Sequence, residues 1–496
     1  MTDLFRDLFI FEMANNHQGD VAHGLRIIQA MGKIARKHRI RAAVKFQYRD
    51  LDSLIHPDCR TRQDLKHIPR FLSTRLSRNE FLTMVTAVRD EGMITACTPF
   101  DEPSVGTILD HGIQILKIAS CSAMDWPLLE AVAKAKKPVI CSTGGLSIYD
   151  IDKIVSFFTH RDSDFALLHC VGMYPMPNSE ANLNFLERMR RRYPYVPIGY
   201  SGHEAPDNVD VVKIAVAKGA AILERHVGIP TDKIRLNSYS MAPEQVDLWV
   251  ENALRSREIC GDPGGEKRVT QEEIESLLSL KRGVYASRPV RKGATIRRED
   301  VFFAMPCNEE QTTSGEYQES MTASRSYKRN EPICERRTPS LVGSIRDIIH
   351  DAKGMLYEAN VELGKDFEIE LSHHYGMETF RQTGAIIVNL VNREYCKKII
   401  VMLPAQQHPS HHHKVKEETF QLLWGDLEVV LEGTKVLMRP GDKLLVERAA
   451  SHSFTTRNGA IFEEISTTHV KGDSYYEDEK INALDPLQRK SVLENW

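Results

Sequence analysis

The stretch Ile222-Leu223-Glu224-Arg225-His226 decides the fold, together with its counterpart Phe11-Glu12-Met13-Ala14-Asn15-Asn16-His17 near the start of the chain. Each is an apolar run that ends on charged and imidazole side chains. Charged residues are seldom buried without a partner or a function, so such an ending indicates a site. Six further apolar, β-branched runs lie between these two segments. Their regularity predicts the architecture of the first half of the chain.

Eight apolar runs alternate with segments of helical period. The runs span residues 8–12, 42–47, 93–98, 114–119, 138–143, 166–170, 196–200 and 220–226. The helical segments span 21–37, 79–91, 103–110, 127–135, 148–158, 183–192, 206–218 and 243–259. Eight strands, each followed by a helix, in about 250 residues are typical of a (β/α)8 TIM barrel. A doubly wound open sheet is disfavoured, because no GxGxxG follows a run and polar residues end nearly all eight.

The composition is that of a globular protein with more than one domain. With 496 residues the chain is too long for one ordinary core, and we expect two to four domains. Hydrophobic residues make up 42% and charged residues 27%, which are ordinary proportions. The formal net charge of −3 gives no reason to expect nucleic acid or a membrane surface as a partner.

The sequence also predicts a cytoplasmic enzyme. No apolar run approaches the roughly 20 residues that a membrane span needs. Residues 1–7 lack the basic and apolar regions of a signal peptide. Nine cysteines, odd in number and without CxxC spacing, are typical of reduced thiols.

Polar residues stand at the C-terminal ends of the predicted strands, where TIM barrels carry their active sites. Two lysines with several hydroxyls suit an anionic, phosphorylated ligand, and histidines following adjacent strands can share a divalent metal. A single lysine or histidine is more often structural, so the prediction depends on convergence at one barrel end. In chain order these residues are Glu12, Asn16, His17, Lys45, Gln47, Thr98, Asp101, Lys117, Ser120, Ser142, Thr143, His169, Tyr174, Ser201, His203, Glu224 and His226.

These segments resemble the sialic acid synthase family, whose members condense phosphoenolpyruvate with an N-acyl-hexosamine to give nonulosonic acids. The resemblance covers the whole predicted barrel, with the motifs in order. The motifs are FEMANNHQGD (11–20), VKFQ (44–47), TPFD (98–101), LKIAS (116–120), STGG (142–145), ALLHC…YP (166–175), GYSGHE (199–204) and ILERH (222–226).

The resemblance implies a metal-dependent transferase that forms a C–C bond. His203 and His226 would hold Mn2+ or Mg2+, and Glu12 would be the acid/base. Asn16, Tyr174 and Glu224 would line the sugar side. The phosphate and carboxylate of phosphoenolpyruvate would be bound by Lys45, Thr98, Lys117, Ser120, Ser142 and Ser201. The implied reaction releases phosphate by C–O cleavage.

The sequence departs from the family pattern on the implied sugar side. Cys121 and Ser122 replace a Gly-Glu pair after the fourth run, and Gly172 replaces an asparagine two residues before Tyr174. Asn237 stands where the family has an acidic residue. The acceptor sugar and its phosphorylation are therefore left open.

Residues 280–340 resemble the small antifreeze-like (SAF) domain that follows the barrel, predicted at residues 1–265, in the same family. In that family an arginine of this domain reaches the partner subunit's active site. The matching position here is Lys328, with Arg329 beside it. Lysine cannot form the two parallel hydrogen bonds that the guanidinium of arginine forms. This position is therefore a further departure from the family pattern that bears on the identity of the acceptor sugar. The resemblance implies a domain-swapped homodimer.

From residue 360 to 496 the pattern changes to short strands with turn signals, which predicts an antiparallel barrel or jelly roll. The predicted strands are 385–391, 398–403, 420–424, 427–432, 434–438, 443–447 and 460–466. The spacing of His411, His413, Glu418 and His452 resembles the paired motifs of cupins, in which these residue types bind one metal. Residues 411 and 413 alternate along a strand, so both can face one ion.

Three functions are consistent with this organisation. The first is a phosphoenolpyruvate-dependent nonulosonate synthase in the barrel. The second is a metal-dependent sugar isomerase or epimerase in the cupin, as the main or a second activity. The third is a sugar-sensing assembly protein without turnover.

Overall fold

The computed structural model describes residues 3–261, 267–319, 321–336, 340–485 and 488–494. The chain divides into two compact units, Met1–Arg268 and Val269–Trp496. The predicted barrel boundary at residue 265 lies outside the described residues. Both domains predicted after the barrel begin inside the second unit. No described helix is long and apolar enough to cross a membrane.

The first unit is a closed barrel of eight parallel strands in sequential order, which confirms the predicted (β/α)8 fold. Strand β1 pairs with both β2 and β8, and Glu12 is in register with Lys45 on one side and His226 on the other. The strands are β1 Leu8–Glu12, β2 Arg41–Tyr48, β3 Ile94–Pro99, β4 Ile115–Ile118, β5 Val139–Ser142, β6 Phe165–Cys170, β7 Ile198–Gly202 and β8 Ile222–His226.

Ten α-helices belong to this unit's described residues. They are α1 Val21–His38, α2 Leu51–Leu54, α3 Ile68–Ser73, α4 Arg78–Asp90, α5 Glu102–Asp110, α6 Trp126–Lys134, α7 Ile148–Thr159, α8 Asn184–Arg192, α9 Asp210–Ala217 and α10 Pro243–Cys260. Local sequence sets their ends: Ser77 and Glu80 form a reciprocal capping box at the start of α4. The short helices α2 and α3 were not predicted, because four and six residues are too few to show a helical period.

Two apolar layers leave only one end of the barrel available for polar groups. The larger core lies between strands and helices and includes Phe9, Ile28 and Leu223. A smaller cluster fills the barrel interior, with Leu8 and Ile222 near the strand beginnings and Phe5 packed against them. Because strand residues alternate between faces, the next inward positions along these strands reach the C-terminal mouth.

The second unit begins with helix α11 Gln271–Leu280 and a two-stranded antiparallel pair, β9 Gly283–Ala286 and β10 Val301–Ala304. Helix α12 Leu341–Glu358 precedes two antiparallel sheets, and α13 Glu479–Asn482 lies near the end of the chain. The sheet strands are β11 Glu368–Ser372, β12 Ala385–Asn392, β13 Tyr395–Met402, β14 Gln407–His412, β15 Glu418–Gly425, β16 Leu427–Leu431, β17 Thr434–Met438, β18 Lys443–Val446, β19 His452–Thr455, β20 Ala460–Thr467, β21 Tyr475–Tyr476 and β22 Lys490–Leu493.

These strands form a sandwich, which confirms the predicted all-β character. The seven-stranded sheet has the order β18-β15-β20-β13-β12-β11-β22, and the five-stranded sheet β17-β16-β19-β14-β21. On β13, Ile399 and Val401 pack in the cluster that contains Ile348 of α12, whereas Ile400 and Met402 pack with Phe454 of the other sheet. Successive side chains of β13 point to opposite faces of its sheet, so one face packs against helix α12 and the other against the second sheet.

The seven predicted strands correspond to β12, β13, β15, β16, β17, β18 and β20. Strands β11, β14, β19, β21 and β22 and helix α12 were not predicted. Strand β14 reads Gln-His-Pro-Ser-His-His and has no apolar alternation, and β19 and β21 are four and two residues long. Strand β14 also ends at His412, so His413 lies one residue beyond the strand that was expected to carry it.

Candidate active site and candidate metal centre

A chain of alternating charges fills the barrel mouth. Glu12, Lys45, Lys117 and Glu224 come from β1, β2, β4 and β8, and each is at most 4% exposed. The Lys45 ammonium contacts the Glu12 carboxylate and lies 3.2 Å from Glu224 Oε2. Lys117 Nζ lies 3.7 Å from Glu224 Oε1. Two buried ammonium groups are thus matched by two carboxylates, as buried charges require.

Hydroxyl groups complete the hydrogen bonding of this chain. Lys45 Nζ donates to Thr98 Oγ1 at 3.3 Å, and Lys117 Nζ donates to Ser142 Oγ at 2.6 Å. Ser201 Oγ donates to Glu224 Oε1 at 2.6 Å. Ser120 differs, because its Oγ accepts from the backbone N–H of Gly144 at 3.0 Å. Ser120 therefore fixes the loop after β5, beside the lysine–serine contacts.

The charges perturb one another through the low-dielectric interior. Burial and Lys45 lower the pKa of Lys117, although Glu224 opposes them. Burial would raise the pKa of Glu224, but Lys117 and Lys45 hold it well below its usual range. Glu224 is therefore ionised and serves as counter-ion to both lysines. Perturbed groups that converge in one place are typical of functional sites.

Two histidines and two tyrosines lie beside the charged chain. The His203 and His226 ring centroids are 5.4 Å apart. Tyr174 packs on His203 at 4.2 Å, and Tyr239 packs on His226 at 5.0 Å. Burial, together with Lys45 for His226 and with the neighbouring imidazole for His203, lowers both pKa values to about 3. Both rings are therefore neutral at pH 7.

Neutral imidazoles fit a divalent metal. His203 Nδ1 donates to the Val171 carbonyl at 3.0 Å, which leaves the lone pair of Nε2 available. A backbone acceptor that fixes the tautomer in this way is common behind ligating histidines. Within the described residues of the barrel, no third histidine, cysteine or carboxylate completes a set of three ligands. A six-coordinate ion held here would take its remaining ligands from water and substrate.

Other residues predicted for the sugar side build the walls of the mouth. Asn16 Nδ2 donates to Val227 O at 2.8 Å and to Ser240 Oγ at 3.0 Å, which ties β1 to the loop carrying Tyr239. Asn237 Oδ1 accepts from the Tyr239 N–H in the same loop. Tyr174 is 53% exposed at the rim. Of the other departures from the family pattern, Ser122 is buried, whereas Cys121 and Gly172 are exposed.

Several polar residues at strand ends lie outside this cluster. His17 accepts from the Gly19 N–H and packs on Phe81, and His169 Nε2 donates to Ala181 O. Asp101 caps α5, and Thr143 Oγ1 donates to Leu168 O. These side chains serve the fold, so a polar strand end alone did not identify an inward-facing residue.

Sequence reasoning missed Tyr239 and a buried ion pair. Arg225, inside the ILERH motif, contacts the Glu204 carboxylate and donates to Glu204 O at 2.8 Å. Tyr200 OH donates to Glu204 Oε2 at 3.0 Å. Successive side chains of a strand point to opposite faces, so the position of Arg225 between Glu224 and His226 on β8 could have predicted that it faces away from them. Tyr239 lies in an irregular loop without a comparable signal.

A second cluster lies in the sandwich of the other unit. Ligand atoms of His411, His413 and His452 lie within 4.8 Å of one another, and all three residues are buried. Their Nδ1 atoms donate to backbone carbonyls of Pro409, Asp473 and Ala450, respectively. Each neutral ring therefore presents an unprotonated Nε2.

Glu418 completes this cluster in a way that fits a cation. Its Oε2 lies 3.3 Å from His452 Nε2, and its Oε1 lies 3.6 Å from His413 Nε2. Neither Glu418 Oε2 nor His452 Nε2 has a hydrogen-bond partner among the described residues. Two acceptors that face each other in a buried space repel unless a positive charge lies between them. The four residues are the donor set that zinc, manganese and related ions accept.

Lysines border this centre. Lys416 contacts Glu418, and its Nζ lies 3.0 Å from Glu464 Oε1. Lys398 Nζ lies 3.5 Å from the same oxygen. Burial and Glu464 raise the pKa of Glu418, whereas Lys398 and Lys416 hold the pKa of Glu464 well below its usual range despite burial. In the predicted SAF region, Lys328 and Arg329 are exposed, and the role of Lys328 stays a prediction.

Similarity to known proteins extends over the barrel and into the second unit. A sequence model described as the NeuB family matches residues 34–264. N,N'-diacetyllegionaminic acid synthase of Legionella pneumophila is 27% identical over 311 residues, which cover 60% of this chain and 85% of that protein. N-acetylneuraminate-9-phosphate synthase of Mus musculus is 25% identical over 295 residues, or 58% and 80% of the two chains.

Among solved structures, a protein described as spore coat polysaccharide biosynthesis protein E from Chromobacterium violaceum is 44% identical. The alignment covers 66% of this chain and 98% of that chain, with a TM-score of 0.64. Nearly the whole of that protein is therefore matched, and about a third of this chain extends beyond the match.

Proposed function

Because the chain belongs to the NeuB family, we propose that its barrel is a nonulosonic acid synthase. In this reaction phosphoenolpyruvate condenses with an N-acyl-hexosamine and phosphate is released. One observation carries the proposal: two lysines, two carboxylates and two neutral histidines, carried by β1, β2, β4 and β8 and the residue after β7, meet at the barrel mouth. The names of the two similar synthases support the same reaction class.

Phosphoenolpyruvate would bind along the lysine–hydroxyl row. Lys45 with Thr98, and Lys117 with Ser142, already form two ammonium–hydroxyl contacts. Ammonium and hydroxyl donors form strong, charge-assisted hydrogen bonds with phosphate and carboxylate oxygens. Two further hydroxyls would contribute: Ser201, which donates to Glu224, and Ser120, which accepts from the Gly144 N–H.

His203 and His226 would hold Mn2+ or Mg2+ in the barrel. A divalent cation there supplies Lewis acidity that polarises the aldehyde of the open-chain sugar. Tyr174 and Tyr239 flank both rings, so the sugar would lie against an aromatic wall. Tyr174 is exposed, which leaves that side open to an incoming acceptor.

Glu12 would be the residue that moves a proton. It lies in register with His226 and contacts Lys45, so it borders both the sugar side and the phosphoenolpyruvate side. C3 of phosphoenolpyruvate forms a bond to C1 of the sugar, and water then adds at C2. Glu12 takes the proton of that water. The former aldehyde oxygen at C1, whose C=O π bond broke when the C–C bond formed, takes up that proton. The bond between C2 and the phosphate oxygen then breaks, the C2 hydroxyl proton leaves with phosphate, and a keto group remains at C2.

The test is phosphate release from phosphoenolpyruvate with Mn2+ and an acceptor. N-acetylmannosamine, its 6-phosphate and a 2,4-diacetamido hexose are the acceptors to compare, with the product detected by thiobarbituric acid. We expect phosphate release in step with product from at least one acceptor. The His226→Ala variant should lose turnover, and His160→Ala, an exposed histidine on the same barrel, should keep it. Absence of phosphate release with all three acceptors would refute the proposal.

We propose a divalent metal at the second cluster as well, held by His411, His413, His452 and Glu418. The facing acceptors and the three fixed tautomers support it. The resemblance of this region to cupins and that of residues 280–340 to the SAF domain remain proposals, as do the domain-swapped dimer and the sugar contact of Lys328.

A further inference from the structure

The sandwich encloses more space than a metal ion needs. A cavity of about 590 Å³ opens beside the histidine cluster, and we call it the sandwich cavity. A volume of several hundred Å³ is that of sites for small organic ligands. Its apolar wall includes Phe420 and Phe454, and its polar wall includes Ser372 and Tyr476. Aromatic faces combined with hydroxyls suit a sugar.

Acidic and basic residues are equal in number in this lining. Among the described lining residues, five basic side chains stand against five acidic ones. The acidic residues are Glu368, Glu370, Glu418, Glu464 and Asp485, and the basic residues are Lys398, Lys416, Lys471, Arg489 and Lys490. Lys490 pairs with Glu370 at 2.8 Å, and Lys416 lies between Glu418 and Glu464.

A divalent ion on the cluster breaks this balance. Glu418 would then face the ion as well as Lys416, and Lys416 and Lys398 would share Glu464 between them. Arg489 adds a buried Nη1 without a hydrogen-bond partner among the described residues. In the buried part of the cavity, Lys398 and Lys416 stand against Glu418 and Glu464. A divalent ion there therefore adds two uncompensated positive charges. Such charge is stable only when an anion neutralises it.

We propose that the sandwich cavity is a second ligand site, which binds a divalent metal and an anionic sugar together. The two ligands bind cooperatively, because each supplies the charge that the other lacks. The sugar carries a carboxylate or a phosphate, and its hydroxyls meet the polar wall. The reaction proposed for the barrel would use or make sugars of this class, but the argument for binding rests on the cavity and on the metal proposed at its histidine cluster.

The experiment measures Mn2+ binding to the full chain from the electron paramagnetic resonance signal of free Mn2+. A His203→Ala/His226→Ala background removes the barrel histidines, so that the sandwich site is observed alone. Titrations are made without sugar and with N-acetylneuraminate, N-acetylmannosamine 6-phosphate or neutral N-acetylmannosamine. The first two distinguish a carboxylate from a phosphate.

We expect at least one anionic sugar to tighten Mn2+ binding by about 10-fold, within the usual range of coupling between sites. Neutral N-acetylmannosamine should leave the affinity unchanged. The proposal is overturned if no anionic sugar changes the affinity or if the neutral sugar tightens it equally. No phosphoenolpyruvate is present, so failure of the synthase proposal would not produce either result.

Charge variants test the origin of the coupling. Lys416→Met should reduce the tightening to less than about 2-fold, because it removes one of the two excess charges. Lys435→Met is the matched control, since Lys435 is an exposed lysine of the same sandwich paired with Glu428. It should keep the full tightening. If Lys416→Met does not fold by circular dichroism, Lys398→Met replaces it. Full coupling in the folded variant would overturn the proposed role of the lysines.

Discussion

The barrel site takes its charged groups from β1, β2, β4 and β8, whereas three of the four candidate ligands in the sandwich lie within residues 411–418. In the barrel, the two carboxylates form ion pairs with lysines, so the two imidazoles are left as the candidate metal ligands. In the sandwich, three imidazoles and one carboxylate already converge. The comparison shows that a site from distant strands depends on closure of the whole fold. A site whose ligands lie mostly in one short segment depends on the conformation of that segment and on one distant residue, here His452.

The largest expected effect is the loss of phosphate release when the proposed base of the barrel site is removed, because the sandwich site has no part in that reaction. Glu12→Gln should lower the rate of phosphate release by about 10²–10⁴-fold, the usual contribution of a general acid or base. Glu130→Gln is the matched control, because Glu130 is a partly exposed residue of α6 paired with Arg161. Its rate should match the wild type. Turnover lost in His452→Ala and kept in His226→Ala would instead move the main activity to the sandwich.

A second prediction tests whether closure of the barrel depends on its buried ion pair. Arg225 and Glu204 are 1% and 0% exposed, so Arg225→Met leaves a carboxylate buried without its partner. The free energy of unfolding of the barrel should fall by about 3–5 kcal/mol. Lys435→Met, which breaks an exposed pair in the sandwich, should lower the free energy of unfolding of the sandwich by less than about 1 kcal/mol. Urea unfolding followed by circular dichroism measures both, and equal losses would contradict the comparison.

The smallest effect concerns pH and the buried histidines of the sandwich. Burial, with Arg489 and His373 nearby, lowers the pKa of His374 from 6.5 to about 3. Between these values the unfolded chain binds a proton that the folded chain does not, so stability falls as pH drops below 6.5. From pH 7 to pH 5 this histidine accounts for a loss of about 2 kcal/mol.

The His374→Phe variant lacks this histidine. Its free energy of unfolding should therefore fall by about 2 kcal/mol less than that of the wild type between pH 7 and pH 5. His374 Nδ1 has no partner within the described chain, so phenylalanine leaves no donor there unsatisfied. Urea titrations of both proteins at pH 7 and pH 5 give the difference. An identical loss in wild type and variant would mean that other groups carry the pH dependence.

Local pattern was enough to predict the barrel. All eight strands and the eight long helices lie close to the predicted segments. The periods of strands and helices can be read from residues close together in sequence. Eight strands that alternate with eight helices are then compatible with few folds, of which the (β/α)8 barrel is one. The sandwich was less predictable, because strands such as β14 and β19 are short and polar at the metal centre.

The sequence by itself determined which residue types stand at strand ends, and a resemblance of motifs assigned them roles. Only the tertiary structure separated His226, which faces the mouth, from His169, which donates to Ala181 O outside the cluster. It also showed that Lys416 lies between two carboxylates and that Tyr239 joins the histidine pair. The physical reason is that side-chain direction depends on strand register and barrel closure, which join residues far apart in sequence. Charge compensation in a buried space depends on those same long-range contacts.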